Sequence, residues 1–228
     1  MNIIITGAGK GIGFELCKSF LMHSGIHILA VSRDITRLEG LAKDHPPLRP
    51  FAFDLEKGEF ALISSQVASL PGGKIDILVN NAGLLIHKAF KDLTVADNQK
   101  MIAVNYLAPF HLIQSLLPCF TAGAHIVNIS SMGGFQGSSK YHGLSGYSAS
   151  KAALACLTEC LAGELKEHNI KVNCLCLGAV ETEMFQSAFP GKKAPVKADK
   201  MAGFITDFAM KAHHFMNGKI IPVTQSEP

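Results

Sequence analysis

A chain of 228 residues with 48% apolar side chains has the length of one large domain and enough material for a buried core, so it is expected to fold alone. Lys and Arg outnumber Asp and Glu by 21 to 18, a net charge near +3 that is too small and too dispersed for a nucleic-acid or membrane-surface protein. A small charged ligand remains compatible with it.

No apolar stretch approaches the roughly 18 residues of a spanning helix. The first strand starts at Asn2, which leaves no room for a removable signal, and the C-terminal Ser226, Glu227 and Pro228 read as no targeting tripeptide. Cys17, Cys119, Cys156, Cys160, Cys174 and Cys176 form no CxxC pair and no Cys/His metal spacing. They read as reduced core thiols in a cytoplasmic protein.

In chain order, residues 2–6 (NIIIT) make a β-branched strand, and Phe14, Cys17, Phe20 and Leu21 at helical spacing follow four glycines. The pattern repeats. HILAVS (27–32) precedes ITRLEGLAKD, LRPFAFDL (48–55) precedes GEFALISSQVASL, and IDILVNNAG (75–83) precedes a helix near 95–118. AHIVNISS (124–131), a helix at about 145–168 and IKVNCLCLGAV (170–180) continue the run. Strands so apolar, each followed by a helix-length segment, require a parallel sheet covered on both faces. The fold class is α/β, a Rossmann-like doubly wound parallel sheet with helices on both faces. With no linker, repeat or low-complexity tract, residues 1–228 form a single domain. Residues 183–200 lack a clean period, carry Pro190, Gly191 and Pro195, and read as a mobile substrate flap with room for a short helix.

Gly7, Gly9, Gly11 and Gly13 lie between the first strand and its helix. A turn of this kind allows positive φ, lets the backbone approach a pyrophosphate, and aims N–H groups and the helix dipole at it. The ligand it suggests is a dinucleotide. The spacing departs from G-x-G-x-x-G because Ile12 stands where that pattern has its last glycine, and an ordinary tight turn is the alternative. At the end of the second strand, AVSRD places Arg33 where an arginine accommodates the 2′-phosphate of NADP, with Lys10 nearby and Asp34 arguing the other way. The coenzyme expected is NADP(H), preferred over NAD(H). In YSASK (147–151), Tyr147 and Lys151 at i and i+4 share a helix face, and an adjacent ammonium should lower the phenol's pKa and make it a general acid/base.

The set TGAGKGIG (6–13), DL (54–55), NNAG (80–83), VN (104–105), NISS (128–131) and YSASK (147–151), in this order, resembles the classical short-chain dehydrogenases/reductases. The resemblance covers nearly the whole chain, with GKIIPV (218–223) similar to the family's last strand. It implies that Tyr147 is the proton donor, that Lys151 binds the nicotinamide ribose and lowers the tyrosine's pKa, and that Ser131 polarises the substrate carbonyl. It implies further that Asn105 holds a water linking Lys151 to solvent and that Asp54, with Leu55, contacts the adenine. Asn81, Ala82 and Gly83 line the cofactor floor, and Gly178, Val180 and Thr182 lie on the nicotinamide side. In the helix at about 145–168, Leu154, Leu157, Leu161 and Leu165 make one apolar stripe and Ala152, Ala153, Cys156 and Cys160 a second face of small residues. One face is expected to cover the sheet and the other to meet a symmetry mate, as in the family's dimers and tetramers, so a homodimer or homotetramer is expected.

Three features depart from the family pattern. Leu177 replaces the proline before Gly178, so the nicotinamide-side turn is expected to be less rigid. The segment from Ser131 to Tyr147 is a few residues longer than usual, and the glycine pair after the final strand is missing. Tyr141 is a rival acid, but Ser145 occupies its i+4 position. His87, His111, His142, His213 and His214 lack ligand-pair spacing, so no catalytic metal is expected. Lys192, Lys193, Lys197 and Lys200 in the flap could attract an anionic substrate, but such a cluster is usually a solvated face, so substrate charge stays open. The function expected is an NADP(H)-dependent oxidoreductase that moves a hydride between nicotinamide and a small-molecule carbonyl or alcohol substrate. A non-catalytic NADP(H)-binding sensor or scaffold is the alternative.

Overall fold

The computed structural model describes residues 1–225; the C-terminal tripeptide lies outside them. Among the described residues nine strands are formed: β1 (Asn2–Thr6), β2 (His27–Ser32), β3 (Leu48–Ala52), β4 (Ile75–Asn80), β5 (Phe120–Ser131), β6 (Lys171–Leu177), β7 (Val180–Glu181), β8 (Val196–Lys197) and β9 (Ile220–Val223). Seven of them make one sheet in the order β3-β2-β1-β4-β5-β6-β9. Every pairing in it is parallel. The chain starts in the middle of the sheet, builds to one edge, and returns to pair β4 with β1. That reversal opens a crevice beyond the carboxyl ends of β1 and β4.

β1 shows why these strands carry no polar alternation. Ile3 and Ile5 project into one core with Leu16, Phe20, Leu38, Ile205 and Ala209, and Ile4 projects into the other with Ile63, Leu78, Leu112, Leu116 and Ile126. With side chains alternating across the strand, both faces are buried and both must be apolar. The first core is covered by α1 (Gly11–Leu21), α2 (Thr36–Asp44) and α8 (Ala198–Lys211), the second by α3 (Ala61–Val67), α5 (Ala108–Leu116) and the C-terminal half of α6 (Ser145–Glu164). α4 (Val95–Ile102) packs against the start of α6, and α7 (Glu183–Ala188) follows β7.

The structure corrects several expected boundaries. β3 ends at Ala52 rather than near residue 55, and α6 ends at Glu164, after which Asn169 turns the chain with φ 55°. No element was expected between residues 200 and 218, yet α8 runs from Ala198, within the stretch read as a flap, to Lys211. A helical run from Val95 to Cys119 is 25 residues long and, with mean hydropathy 1.2, is long and apolar enough by length and composition to cross a membrane, contrary to the reading that no stretch approaches that length. Part of its apolar content is used inside the protein, where Met101, Ala108, Pro109, Leu112, Ile113 and Leu116 are buried, while Val95, Leu107 and Leu117 are exposed. Cys156 and Cys160 are exposed on α6, so they are not core thiols, unlike Cys17, Cys174 and Cys176.

Candidate functional site

The glycine turn and the segment after β4 are built as one unit. Gly7 takes φ +67°, and a Cβ there would stand 2.8 Å from Ala82 Cα; one on Gly13 would stand 2.6 Å from Asn81 Nδ2. Only glycine permits so close an approach of two backbones. Asn81 Nδ2 donates to the carbonyls of Thr6 and Gly7 at 3.0 and 3.3 Å, and the Thr6 hydroxyl accepts the N–H groups of Asn81 and Ala82, both at 3.1 Å. Gly9 faces Ser32 and Asp34 at the end of β2, which brings the turn against the segment carrying Arg33. At the start of α1 no side chain caps the helix and no acidic residue occupies the first turn. An uncapped N-terminus of this kind receives an anion, and the turn fits the diphosphate of a dinucleotide.

Arg33 is exposed and, among the described residues, makes no ion pair. Asp34 turns to its own backbone: its Oδ1 accepts the Thr36 N–H at 3.0 Å, and that bond, with a second from the Thr36 side chain, holds the carboxyl below its usual range. The cation is thus left for a ligand. Asp54 lies just past β3 in a tight turn, with its Oδ1 on the Glu56 N–H at 3.0 Å, and Leu55 beside it packs on the second core.

α6 delivers the reacting groups. A buried chain of hydrogen bonds, Asn80 Nδ2 to Asn128 Oδ1 at 2.8 Å, Asn128 Nδ2 to Thr158 Oγ1 at 2.9 Å and Thr158 Oγ1 to the Leu154 carbonyl at 3.0 Å, pins this helix to β4 and β5. Tyr147 and Lys151 lie in its first two turns, and the Tyr147 phenol is hydrogen-bonded to the Ser131 hydroxyl at the end of β5. Lys151, 3% exposed, donates from Nζ to the Ile129 carbonyl at 2.8 Å, and its own carbonyl accepts from Ser130 Oγ at 2.9 Å. A Cβ on Gly83 would stand 3.3 Å from Lys151 Nζ and 3.5 Å from Asn105 Oδ1, so the floor, the lysine and the asparagine converge. Asn105 sits in a π-helical turn, Ala103–Leu107, between α4 and α5, a local widening that frequently marks functional positions.

The titration of the pair differs from the expectation. Burial pushes the Tyr147 phenol up to about 12, opposed only by the bond to Ser131. Burial also pulls Lys151 down to about 8, against the influence of Cys174 and Cys176. The ammonium is turned to Ile129, so desolvation and not the lysine sets the phenol. At neutral pH the tyrosine is a protonated acid and the lysine a cation.

Gly178 is backed by β9: its N–H donates to the Val223 carbonyl at 2.9 Å, a tether independent of the absent proline. Thr182 caps α7, its Oγ1 accepting the Phe185 N–H at 3.2 Å. The stretch read as an aperiodic flap folds around Glu181, whose carboxylate accepts from Gln186 Nε2 and, at 2.8 Å, from the Ala194 N–H, while β7 pairs with β8. Phe189 of the flap meets the His87 ring at 5.1 Å between centroids, and His87 Nε2 bonds the His142 carbonyl at 3.2 Å. The lengthened 131–147 segment, the 84–88 segment and the flap therefore meet above the site. Sequence reasoning missed Thr6, Ser130 and Ser150, which hold other site residues and not a ligand. It also passed over Arg37, whose i+4 spacing from Arg33 was the available signal.

A family model described as short chain dehydrogenase matches residues 1–193. The mouse protein named Dehydrogenase/reductase SDR family member 7B is 32% identical over 198 residues, covering 82% of this chain and 59% of its own length, so the chain spans less than two thirds of that relative. Pig Carbonyl reductase (NADPH) 2 is 34% identical over 191 residues, covering 82% of this chain and 75% of that protein. L-xylulose reductase of Caenorhabditis elegans is 35% identical over 190 residues, covering 80% and 73%. Among solved structures, a 4-hydroxyisoleucine dehydrogenase complexed with NADH superposes with TM-score 0.85 at 26% identity, over 97% of this chain and 96% of that one. A short-chain dehydrogenase/reductase from Serratia marcescens gives 0.86 at 25% identity, over 97% and 95%.

Proposed function

The chain belongs to the short-chain dehydrogenase/reductase family, and from that membership we propose that it is an oxidoreductase using NADP(H) to interconvert a small carbonyl compound and its alcohol. The observation that carries the proposal is the hydrogen-bonded Tyr147–Ser131 pair, with Lys151 one helical turn away at the rim of the glycine-turn crevice.

Gly7, Gly9, Lys10, Gly11, Ile12 and Gly13 would hold the diphosphate, Arg33 the 2′-phosphate, and Asn81 to Gly83 with Gly178, Val180 and Thr182 the nicotinamide half. When bound, the coenzyme supplies or accepts a hydride at its nicotinamide ring. Tyr147 donates its proton to the substrate oxygen, a role that suits a phenol kept protonated by burial. Ser131 polarises the same oxygen. Lys151, cationic at neutral pH and fixed by Ile129, stabilises the phenolate left after transfer. The preference for NADP(H) is supported by the unpaired Arg33 beside an Asp34 engaged by Thr36. The pig relative is named for NADPH, whereas the 4-hydroxyisoleucine dehydrogenase structure holds NADH.

The test is Tyr147→Phe against a panel of ketones and aldehydes, followed by NADPH absorbance. Removing the transferable proton should lower turnover by at least about 10²-fold while NADPH binding stays within about twofold. Undiminished turnover would remove Tyr147 from the role.

A further inference from the structure

We propose that Arg37 sets coenzyme affinity by acting through Glu183: its guanidinium neutralises a carboxylate that the flap brings to the mouth of the glycine turn, so that flap and coenzyme phosphates can share one corner. This rests on the glycine turn being the diphosphate site.

Three carboxylates line the cavity of about 540 Å³ at that mouth, together with Gly11, Arg37, Thr182, Gln186 and Ala198. Two are committed elsewhere. Glu15 pairs with Lys18 at 2.8 Å, and Glu181 is held inside the flap by Gln186 and the Ala194 N–H. Glu183, in the first turn of α7, has Arg37 as its partner, Nη1 to Oε1 at 3.5 Å. Its other oxygen reaches the turn itself: a Cβ on Gly11, whose φ is +53°, would stand 3.4 Å from Glu183 Oε2 and from Thr182 Cγ2.

The first turn of α1 is thus approached by a negative charge belonging to the protein. An anion arriving at that helix end meets attraction from the backbone N–H groups and repulsion from Glu183. Arg37 is placed to cancel the repulsion. It projects from the first turn of α2, and its guanidinium lies over the Phe14 ring of α1 at 4.1 Å from the centroid, which fixes the cation between the two helices and the flap. Both partners are about half exposed, 53% and 52%, so the pair adds little to folding stability. Its position at the mouth gives it an effect on ligand binding. Arg37 is a positioning residue here and Arg33 remains the 2′-phosphate contact, so the two make opposite predictions about coenzyme selectivity.

The test compares the wild type with Arg37→Met, Glu183→Gln and the double variant, by titrating NADPH and NADH through their fluorescence at fixed salt, with thermal unfolding to establish folding. Methionine keeps the apolar contact with Phe14 and removes the charge. Arg37→Met should weaken both coenzymes alike, by about 5-fold, the effect of one unit charge at contact range in water-like surroundings. Glu183→Gln should not weaken either, and the double variant should return to within about twofold of the wild type. A double variant as weak as Arg37→Met would overturn the proposal, since Arg37 would then touch the phosphates itself. A loss confined to NADPH would overturn it too, by making Arg37 a reader of the 2′-phosphate, and so would no loss at all. A folded wild type that binds neither coenzyme would instead remove the diphosphate reading on which the proposal stands.

Discussion

Asn105 Nδ2 donates to Ser150 Oγ at 2.9 Å, joining the π turn to the helix that carries Tyr147 and Lys151. The same side chain grips both polar atoms of the Leu84 backbone, Oδ1 accepting its N–H at 2.7 Å and Nδ2 donating to its carbonyl at 2.9 Å. One buried amide therefore spaces the coenzyme floor from the reacting pair. Asn105→Ala should lose about 1–3 kcal/mol of stability through unpaired buried groups and at least about 10-fold in turnover through misplacement. Thermal unfolding read beside steady-state kinetics tests both; an unchanged midpoint would show the clamp to be dispensable.

For the coenzyme, NADPH should bind tighter than NADH. Arg33→Ala should weaken NADPH by about 10- to 150-fold, the range for a charge-assisted contact of roughly 1.5–3 kcal/mol, and leave NADH nearly unchanged. Exposure of Arg33 and the neighbouring Lys10 favour the lower figure. Fluorescence titration decides it, and tighter NADH binding by the wild type would mean that Asp34 reads the ribose.

Far from the site, His125 predicts how the fold answers acid. Its ring is fully buried, with Nδ1 donating to the Ala209 carbonyl at 2.9 Å and Nε2 accepting from Asn173 Nδ2 at 3.0 Å. Burial, reinforced by His213 and His214 and opposed by the Ala209 bond, lowers its pKa to about 4 from 6.5. The unfolded chain therefore binds the proton more readily, so the stability from the neutral ring is complete above pH 6.5 and is lost as pH falls toward 4. The full span corresponds to about 3 kcal/mol. Denaturant midpoints at pH 7.5 and 5 should fall further apart for the wild type than for His125→Gln. Equal pH slopes would show that other groups carry the acid response.

The outer face of α6 presents Ala152, Cys156 and Cys160 to solvent while Leu154 and Leu157 are buried beneath. A dimer or tetramer built on this face is expected at micromolar concentration. Cys156→Glu should shift sedimentation toward the monomer without unfolding the chain, whereas a monomeric wild type would dismiss the interface.

Much of this was legible because the strands are buried on both faces, which writes them as unbroken apolar runs. The motifs holding Gly7, Asn81 and Ser131 lie at the carboxyl ends of those runs, and Tyr147 was found instead through its i, i+4 spacing to Lys151 on α6. α8 escaped notice although Met201, Ala202, Ile205 and Ala209 follow helical spacing, because the Pro- and Lys-rich stretch before it blurs its start and Gly203 and Thr206 weaken its propensity. The acid's titration was misjudged for a different reason. Spacing places Lys151 four residues after Tyr147, but only packing reveals that its ammonium turns to Ile129 and that the phenol is desolvated. Arg37 and Glu183 are 146 positions apart, a pairing that no local pattern discloses.

The bonds from Thr6 and Asn81 have an entropic consequence. Because they lock the turn after β1 to the segment after β4 within the protein itself, the cradle is already in its receiving shape and little backbone freedom remains to be surrendered when a ligand enters. Association should then be limited by encounter and not by loop ordering, and the choice of substrate falls to the opposite rim, where the 131–147 segment and the flap meet at His87.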